Sequence, residues 1–396
     1  MNQNQNIIQD KIDSLLTYLE TFEYKGFEAY DVLTEPMRKR LHPAILGAVA
    51  TQIIRLFPFP LQTLYKQPKL YTKSMCLIAH SCLKLYKLTN RSEYLDSALH
   101  CLKWLIEHES SHSTYFSLGS NYNLSMKSYG STSDTPSPLI TALAVETFLS
   151  AYEILNENKY LKLAKSGKDY FVHELPIIKV DDRHSYFTYH PNNPHFIPNL
   201  PALLCGTLAR YYSFDPDEQL VNIMSTNLRY VASHQSPDGS WAYEPGASYI
   251  DSFHTGFVLE GFTKYQFYVK DYEFRATMEK GLAFYLKTFF KSNGKPLHKI
   301  RVGKPTNIDS LLTKLDLRDC AQAFVLLSLL TKTQKFPATL SQKLFDWCIR
   351  NFRSKKGYFY YQKTPFYTIR GPFIAMQAWM LFGLVNLYEA VSNNPE

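Results

Sequence analysis

Amphipathic helical spacing runs through most of the chain, and the helices it predicts fall into two alternating sets. Members of the first set are small and apolar nearly all round. They are "KSMCLIAHSCLKLYKL" from Lys73, "PLITALAVETFLSAYEIL" from Pro138, "NLPALLCGTLARYYSF" from Asn199, "SFHTGFVLEGFTKYQ" from Ser252, "DCAQAFVLLSLLTK" from Asp319 and "PFIAMQAWMLFGLVNLYEAV" from Pro372. Their starts lie about 55–65 residues apart, within the range of repeats built from helical hairpins. Between them runs a second, more polar set, such as "SEYLDSALHCLKWLIEHE" and "LSQKLFDWCIRNF". Several of these end in a turn and an aromatic, strand-like patch, for example "DDRHSYFTYH", "SPDGSWAYEP", "SNGKPLHKI" and "SKKGYFYYQ". Each later unit therefore reads helix, turn, short local hairpin, helix.

A unit of this kind cannot bury its apolar face alone, so its neighbours must stack on it. An open stack needs polar end caps, yet the last helix is among the most apolar in the chain. The pattern therefore predicts an all-α fold, an (α/α)6 toroid: a closed double ring of helical hairpins with short β-hairpins in the turns. Residues 1–396 are expected to form one toroid domain. Within it, residues 1–60 form an N-terminal helical segment that packs on the ring or completes it.

Composition narrows the function without naming it. Of 396 residues, 45% are hydrophobic and 15% aromatic, with 29 Tyr and 26 Phe against 16 Gly, enough for a large core and for aromatic pocket walls. The formal charge of +8 is dispersed in short clusters such as Arg38–Lys39–Arg40, a mild attraction for an anionic substrate. No basic stripe, zinc spacing or stacking motif points to nucleic acid. Neither a metal nor a cofactor is expected, since there is no tight ligand spacing, glycine-rich phosphate loop or serine nucleophile elbow. Six cysteines without a CxxC read as buried free thiols. With no signal-peptide order and no apolar run long enough to span a bilayer, the expected location is cytoplasmic.

In a toroid the inner helices aim their leading ends at a central cavity. The densest stretch of candidates is "HQSPDGSWAYEPGASYIDSFHTGFVLEGF", His234 to Phe262. Asp251 and His254 share one side of a helix start. Asp251 serves there as a cap, as the orienting partner of a catalytic imidazole, or as both. Tyr249 is a further acid/base candidate. Tyr243 and Trp241 offer aromatic faces to a sugar ring, although a Gly–x–Trp turn also packs between helices. Arg370, at the entry of the last inner helix, suits a carboxylate or phosphate, with Gln377 inside that helix. Tyr186 and His190 come from a Pro/Asn-rich loop before the third inner helix, Asp134 precedes the second, and Tyr30 with Asp31 sits on an N-terminal loop placed to cross the mouth.

The architecture resembles the six-hairpin toroids of many glycoside hydrolases, polysaccharide lyases, sugar epimerases and terpenoid cyclases. Tyr230–Val231, Gln235, Gly239 and Trp241 resemble the glutamine–tryptophan repeat of squalene-type cyclases. The "SDTPSPLITAL" segment is similar to the region of their acidic motif, but only Asp134 is acidic there. Further, "YKGFEAYDVL", "DSFHTGFVLEGF" and "RGPFIAMQAWML" resemble a bacterial group associated with surface-polysaccharide biosynthesis. These resemblances imply a carbohydrate-active enzyme on an acidic glycan or glycoconjugate. The favoured chemistry is uronate epimerisation or elimination, with His254 or Tyr249 as base and Arg370 on the carboxylate. A glycoside hydrolase using Asp251 with Asp134 or Asp319, a cyclase-like enzyme and a non-catalytic glycan-binding toroid are the alternatives.

Overall fold

The computed structural model describes residues 3–29, 31, 67–125, 130–303, 314–334, 336 and 338–393. Tyr30 and the Arg38–Lys39–Arg40 cluster lie outside the described residues. The described helices are α1 (Gln3–Thr21), α2 (Thr72–Thr89), α3 (Ser92–Ile106), α4 (Pro138–Leu155), α5 (Asn158–Asp169), α6 (Asn199–Tyr212), α7 (Glu218–Ser233), α8 (Ser252–Val269), α9 (Arg275–Phe289), α10 (Leu317–Gln334), α11 (Thr339–Phe352) and α12 (Ile374–Asn393). The even-numbered helices form an inner ring. Each packs on the next, and α12 packs back on α2, so the ring is closed. Helices α3, α5, α7, α9 and α11 lie outside, each against its own inner partner, and α1 fills the sixth outer position against α12. The chain thus forms the expected (α/α)6 toroid.

The two sets differ because they are buried differently. Outer helix α3 buries one stripe, Tyr94, Ala98, Cys101, Leu102 and Leu105, at helical spacing. Inner helix α4 has neighbours on nearly every side and buries every residue from Ile140 through Ala151. Asp217 caps α7 by accepting the Gln219 N–H at 2.9 Å, while Asn90 and Asn156, at φ 57 and 54, end α2 and α4 in the left-handed conformation. By length and composition α4 and α12 are long and apolar enough to cross a membrane, which corrects the sequence expectation; 72% and 78% of their most apolar 18-residue stretches are buried inside the ring. All six cysteines are unpaired and buried.

The strands are short, as expected, but not all local. β1 (Leu124–Ser125) pairs with β2 (Gly130–Ser131), and β3 (Ile177–Lys179) with β4 (Ser185–Phe187). β5 (Tyr249–Asp251) pairs instead with β6 (Lys299–Arg301) of the following unit, Asp251 opposite Lys299. β7 (Leu315–Asp316), β8 (Gln362–Lys363) and β9 (Thr368–Ile369) make a small sheet across two units. These pairings tie the leading ends of successive inner helices together.

Glycines let neighbouring inner helices approach closely. A Cβ on Gly261 of α8 would stand 2.1 Å from the Ala202 carbonyl oxygen of α6, a backbone atom that cannot swing away. Gly261→Ala is therefore expected to cost about 3 kcal/mol, the upper end of ordinary overpacking, read as a lower denaturant midpoint. An unchanged midpoint would show that the two helices separate freely.

Candidate functional site

The leading ends of all six inner helices converge on a cavity of about 210 Å³. Its wall includes Lys73 of α2, Pro138 of α4, Asn199 of α6, His254 of α8, Arg318 of α10 and Trp379 of α12. Tyr122, Tyr189 and His190 contribute from loops, and Phe253 and Phe257 from α8. Because helix N-termini carry partial positive charge, six of them aimed at one space favour negative charge inside it.

His254 is positioned by Asp251 alone on one side and by aromatic rings on the other. Its backbone N–H is accepted by Asp251 Oδ1 at 2.8 Å, the helix-capping bond, and its ring Nδ1 lies 2.8 Å from both carboxylate oxygens. One carboxylate therefore starts the helix and orients the imidazole, so the capping and orienting readings both hold. With Nδ1–H donated to Asp251, the neutral ring carries its lone pair on Nε2. Burial works to raise the Asp251 carboxyl, but the adjoining His254, by charge and hydrogen bonding, holds it below the usual range. Tyr243 meets the His254 ring edge-on at 4.7 Å and stacks on Tyr249 at 5.1 Å, fixing the imidazole plane.

His190 has the opposite polarity. Its Nδ1 accepts the Asn192 backbone N–H at 3.3 Å, so the neutral ring carries its proton on Nε2, and burial lowers its pKa. Arg318 forms a two-pronged pair with Asp316, Nε–Oδ1 2.9 Å and Nη2–Oδ2 2.8 Å, and lies over the Phe253 ring at 5.2 Å. Among the described residues, the wall atoms buried without a hydrogen-bond partner include Asn199 Oδ1 and Trp379 Nε1. An orphaned acceptor and an orphaned donor on the same cavity wall are what a hydroxyl-bearing ligand would satisfy.

Other sequence candidates sit elsewhere. Trp241 is packed between helices, its Nε1–H donating to the Val231 carbonyl at 2.9 Å; with Asp251 it borders only a recess of about 10 Å³ beside His254. Tyr249 is held between Tyr243 and the Lys299 amine and does not line the cavity. Gln377 spends its amide on both backbone groups of Phe359, at 2.8 Å each. Arg370 is exposed beside the Tyr360 ring, Tyr186 donates to the Pro194 carbonyl at 2.9 Å, and Asp134 accepts from Ser111 at 2.6 Å; none lines the cavity. Asp31 is buried and accepts the Tyr71 hydroxyl at 3.0 Å. Lys73 and Trp379 were not singled out from sequence, yet both lie near the starts of the repeated inner helices.

Asp319 is buried behind the wall with His298, Nδ1–Oδ2 2.9 Å; burial raises its carboxyl to about 6. Among the described residues no Asp or Glu lines this cavity, and no cluster of His, Cys, Asp and Glu is arranged to hold a metal.

Asp251→Asn separates the two roles of this carboxylate. Asparagine caps almost as well, so stability should change by less than about 0.5 kcal/mol. Turnover should still fall roughly a hundredfold, because the amide cannot hold the imidazole in the same charge and tautomer state. Equal turnover would reduce Asp251 to a cap.

No family model matches the sequence, and no curated protein matches it. Solved structures do resemble it in fold. A cellobiose 2-epimerase from Bacillus thermoamylovorans superposes with a TM-score of 0.60 at 13% identity, over 80% of this chain and 87% of that one. An α-mannanase from Bacteroides thetaiotaomicron gives 0.59 at 13% identity, over 83% and 89%. A polysaccharide lyase gives 0.63 at 11% identity over 100% of both chains. At such identities the likeness concerns the toroid alone.

Proposed function

We propose that the protein is a carbohydrate-active enzyme that removes a carbon-bound proton beside the carboxylate of an acidic sugar, leading to epimerisation or elimination. The observation that carries this reading is the composition of the cavity wall: a carboxylate-oriented imidazole, two cationic side chains and no acidic side chain among the described residues. Hydrolysis of a glycoside normally uses two carboxylates facing the scissile bond. Asp251 is instead committed to His254, while Asp134 and Asp319 stand outside the wall.

In the proposed reaction His254 Nε2 takes the proton from the carbon next to the carboxylate. The released electron pair moves into that carboxylate, where Lys73, Arg318 and the converging helix N-termini stabilise the added negative charge. The Nε2–H tautomer of His190 supplies a donor in the same wall. Transfer of the His190 Nε2 proton to the other face of the carbon gives the epimer; its transfer to the oxygen leaving from the next carbon gives an unsaturated sugar and a free hydroxyl. Asn199 Oδ1 and Trp379 Nε1 are suited to ring hydroxyls, and the volume, below the roughly 300–1,000 Å³ of drug-sized pockets, fits about one sugar ring. An epimerase and a polysaccharide lyase are among the proteins of similar fold, so a toroid of this kind accommodates either outcome. Six unpaired thiols suit a reducing, cytoplasmic setting, where precursors of a cell-surface polysaccharide would be the substrates.

The test is incubation with hexuronate-containing oligosaccharides, following ultraviolet absorbance for unsaturated product and NMR for the epimer. Appearance of either supports the proposal. Release of reducing ends from neutral glycosides, with neither product, would replace it by hydrolysis.

A further inference from the structure

The ring has a second cavity, of about 380 Å³, at the trailing ends of the same six inner helices. Its wall is highly charged. Glu146 is paired with Arg210 and Lys264, at 2.7 and 2.9 Å, and Glu260 with Lys264 at 2.7 Å. One sector is unbalanced. Lys84 lies 2.8 Å from Glu389, and Lys87 and Lys332, exposed at the rim, pair with no carboxylate among the described residues. Burial would raise the Glu389 carboxyl, yet the charges of Lys84, Lys332 and Lys87 hold it below the usual range, so three amines surround one carboxylate.

A second observation points to a ligand. Ser328, one turn before Lys332 on α10, lines this cavity, is 6% exposed, and its Oγ has no hydrogen-bond partner. Helical serines commonly bond back to the carbonyl four residues earlier, as Ser81 does here with Leu77 at 2.6 Å. Ser328 does not, and a buried hydroxyl left unsatisfied is destabilising until a partner supplies its hydrogen bond. Ser328 and Lys332 are four apart on α10, and Lys84 and Lys87 three apart on α2, so each pair shares a helix face. Cations at trailing ends also offset helix dipoles, but that role requires neither a cavity nor an unpaired hydroxyl.

We propose that this second cavity binds a phosphate-type dianion, inorganic phosphate or the phosphate of a monoester, with Ser328 donating a hydrogen bond and Lys332, Lys87 and Lys84 supplying charge. The site lies at the opposite end of the ring from His254 and stands independently of the catalytic proposal.

The experiment is thermal melting of the full chain titrated with inorganic phosphate, with hexose 6-phosphate, and with potassium chloride at matched ionic strength. A saturable rise of several degrees is expected with a phosphate compound and not with chloride. The Lys87→Gln/Lys332→Gln double variant, altered only at the exposed rim, should lose that rise, and Ser328→Ala should weaken binding about tenfold. A rise with hexose phosphate alone assigns the ester as the source; a rise with both assigns the phosphate group itself. No rise with either, an equal rise with chloride, or a full rise in the double variant would overturn the site.

Discussion

Replacing His254 by alanine is expected to reduce turnover on the acidic sugar by 10² to 10⁴, roughly the range lost with a general base. The melting temperature should move little. The ring is only partly buried, its side chain 23% exposed, and the helix cap depends on the residue's backbone N–H, which alanine retains. Turnover and stability therefore part company if His254 is catalytic. A packing role would reverse the pattern: stability down by more than about 1 kcal/mol with turnover per folded molecule intact. Circular dichroism melting beside the product assay reads both outcomes.

Glu146→Gln should produce the largest loss of stability. Glu146 is buried between Arg210 and Lys264, and removing its charge leaves two buried cations under-compensated. Breaking such a pair costs roughly 3–5 kcal/mol. The pH dependence has a definite sign. Burial alone would raise the Glu146 carboxyl, but Lys264 and Arg210 outweigh it and hold the group at about 2, below the ordinary 4.5. A carboxyl depressed in the folded state contributes stability that is present above its unfolded value and lost as pH falls through its folded value. The wild type should therefore lose this contribution between about pH 4.5 and pH 2, and the glutamine variant should lack that part of the acid limb. Parallel acid limbs would mean the network contributes nothing.

Much of the architecture was legible because burial writes itself into helix composition. The six inner helices are apolar all round, and their starts follow the repeat closely: Pro138, Asn199 and Ser252 begin both the sequence segments and the helices. Asp251 and His254 were legible for a local reason, since three-residue spacing at a helix start brings a cap and an imidazole together. Pairings between units were not legible: β5 finds β6 some fifty residues away, and no periodicity encodes that register. Gln377 shows another limit. A lone polar side chain in an apolar helix reads as a cavity residue, whereas it satisfies both backbone groups of Phe359. Arg370 fails similarly, because a residue a few positions ahead of a helix can turn outward to solvent. Lys73, Asn199 and Trp379 shared a usable signal, polar atoms near the leading ends of inner helices, which becomes decisive only once the ring closes and those ends meet.

The most direct test of the central claim is release of isotope from carbon. Hexuronate oligosaccharides carrying deuterium on the carbon beside the carboxylate are incubated with enzyme in ordinary water, and solvent deuterium is followed by NMR. Proton abstraction by His254 predicts release by the wild type, whether the product is epimer or unsaturated sugar, and loss of that release in His254→Ala. Product formation with the deuterium retained, or equal release by His254→Ala, would contradict it.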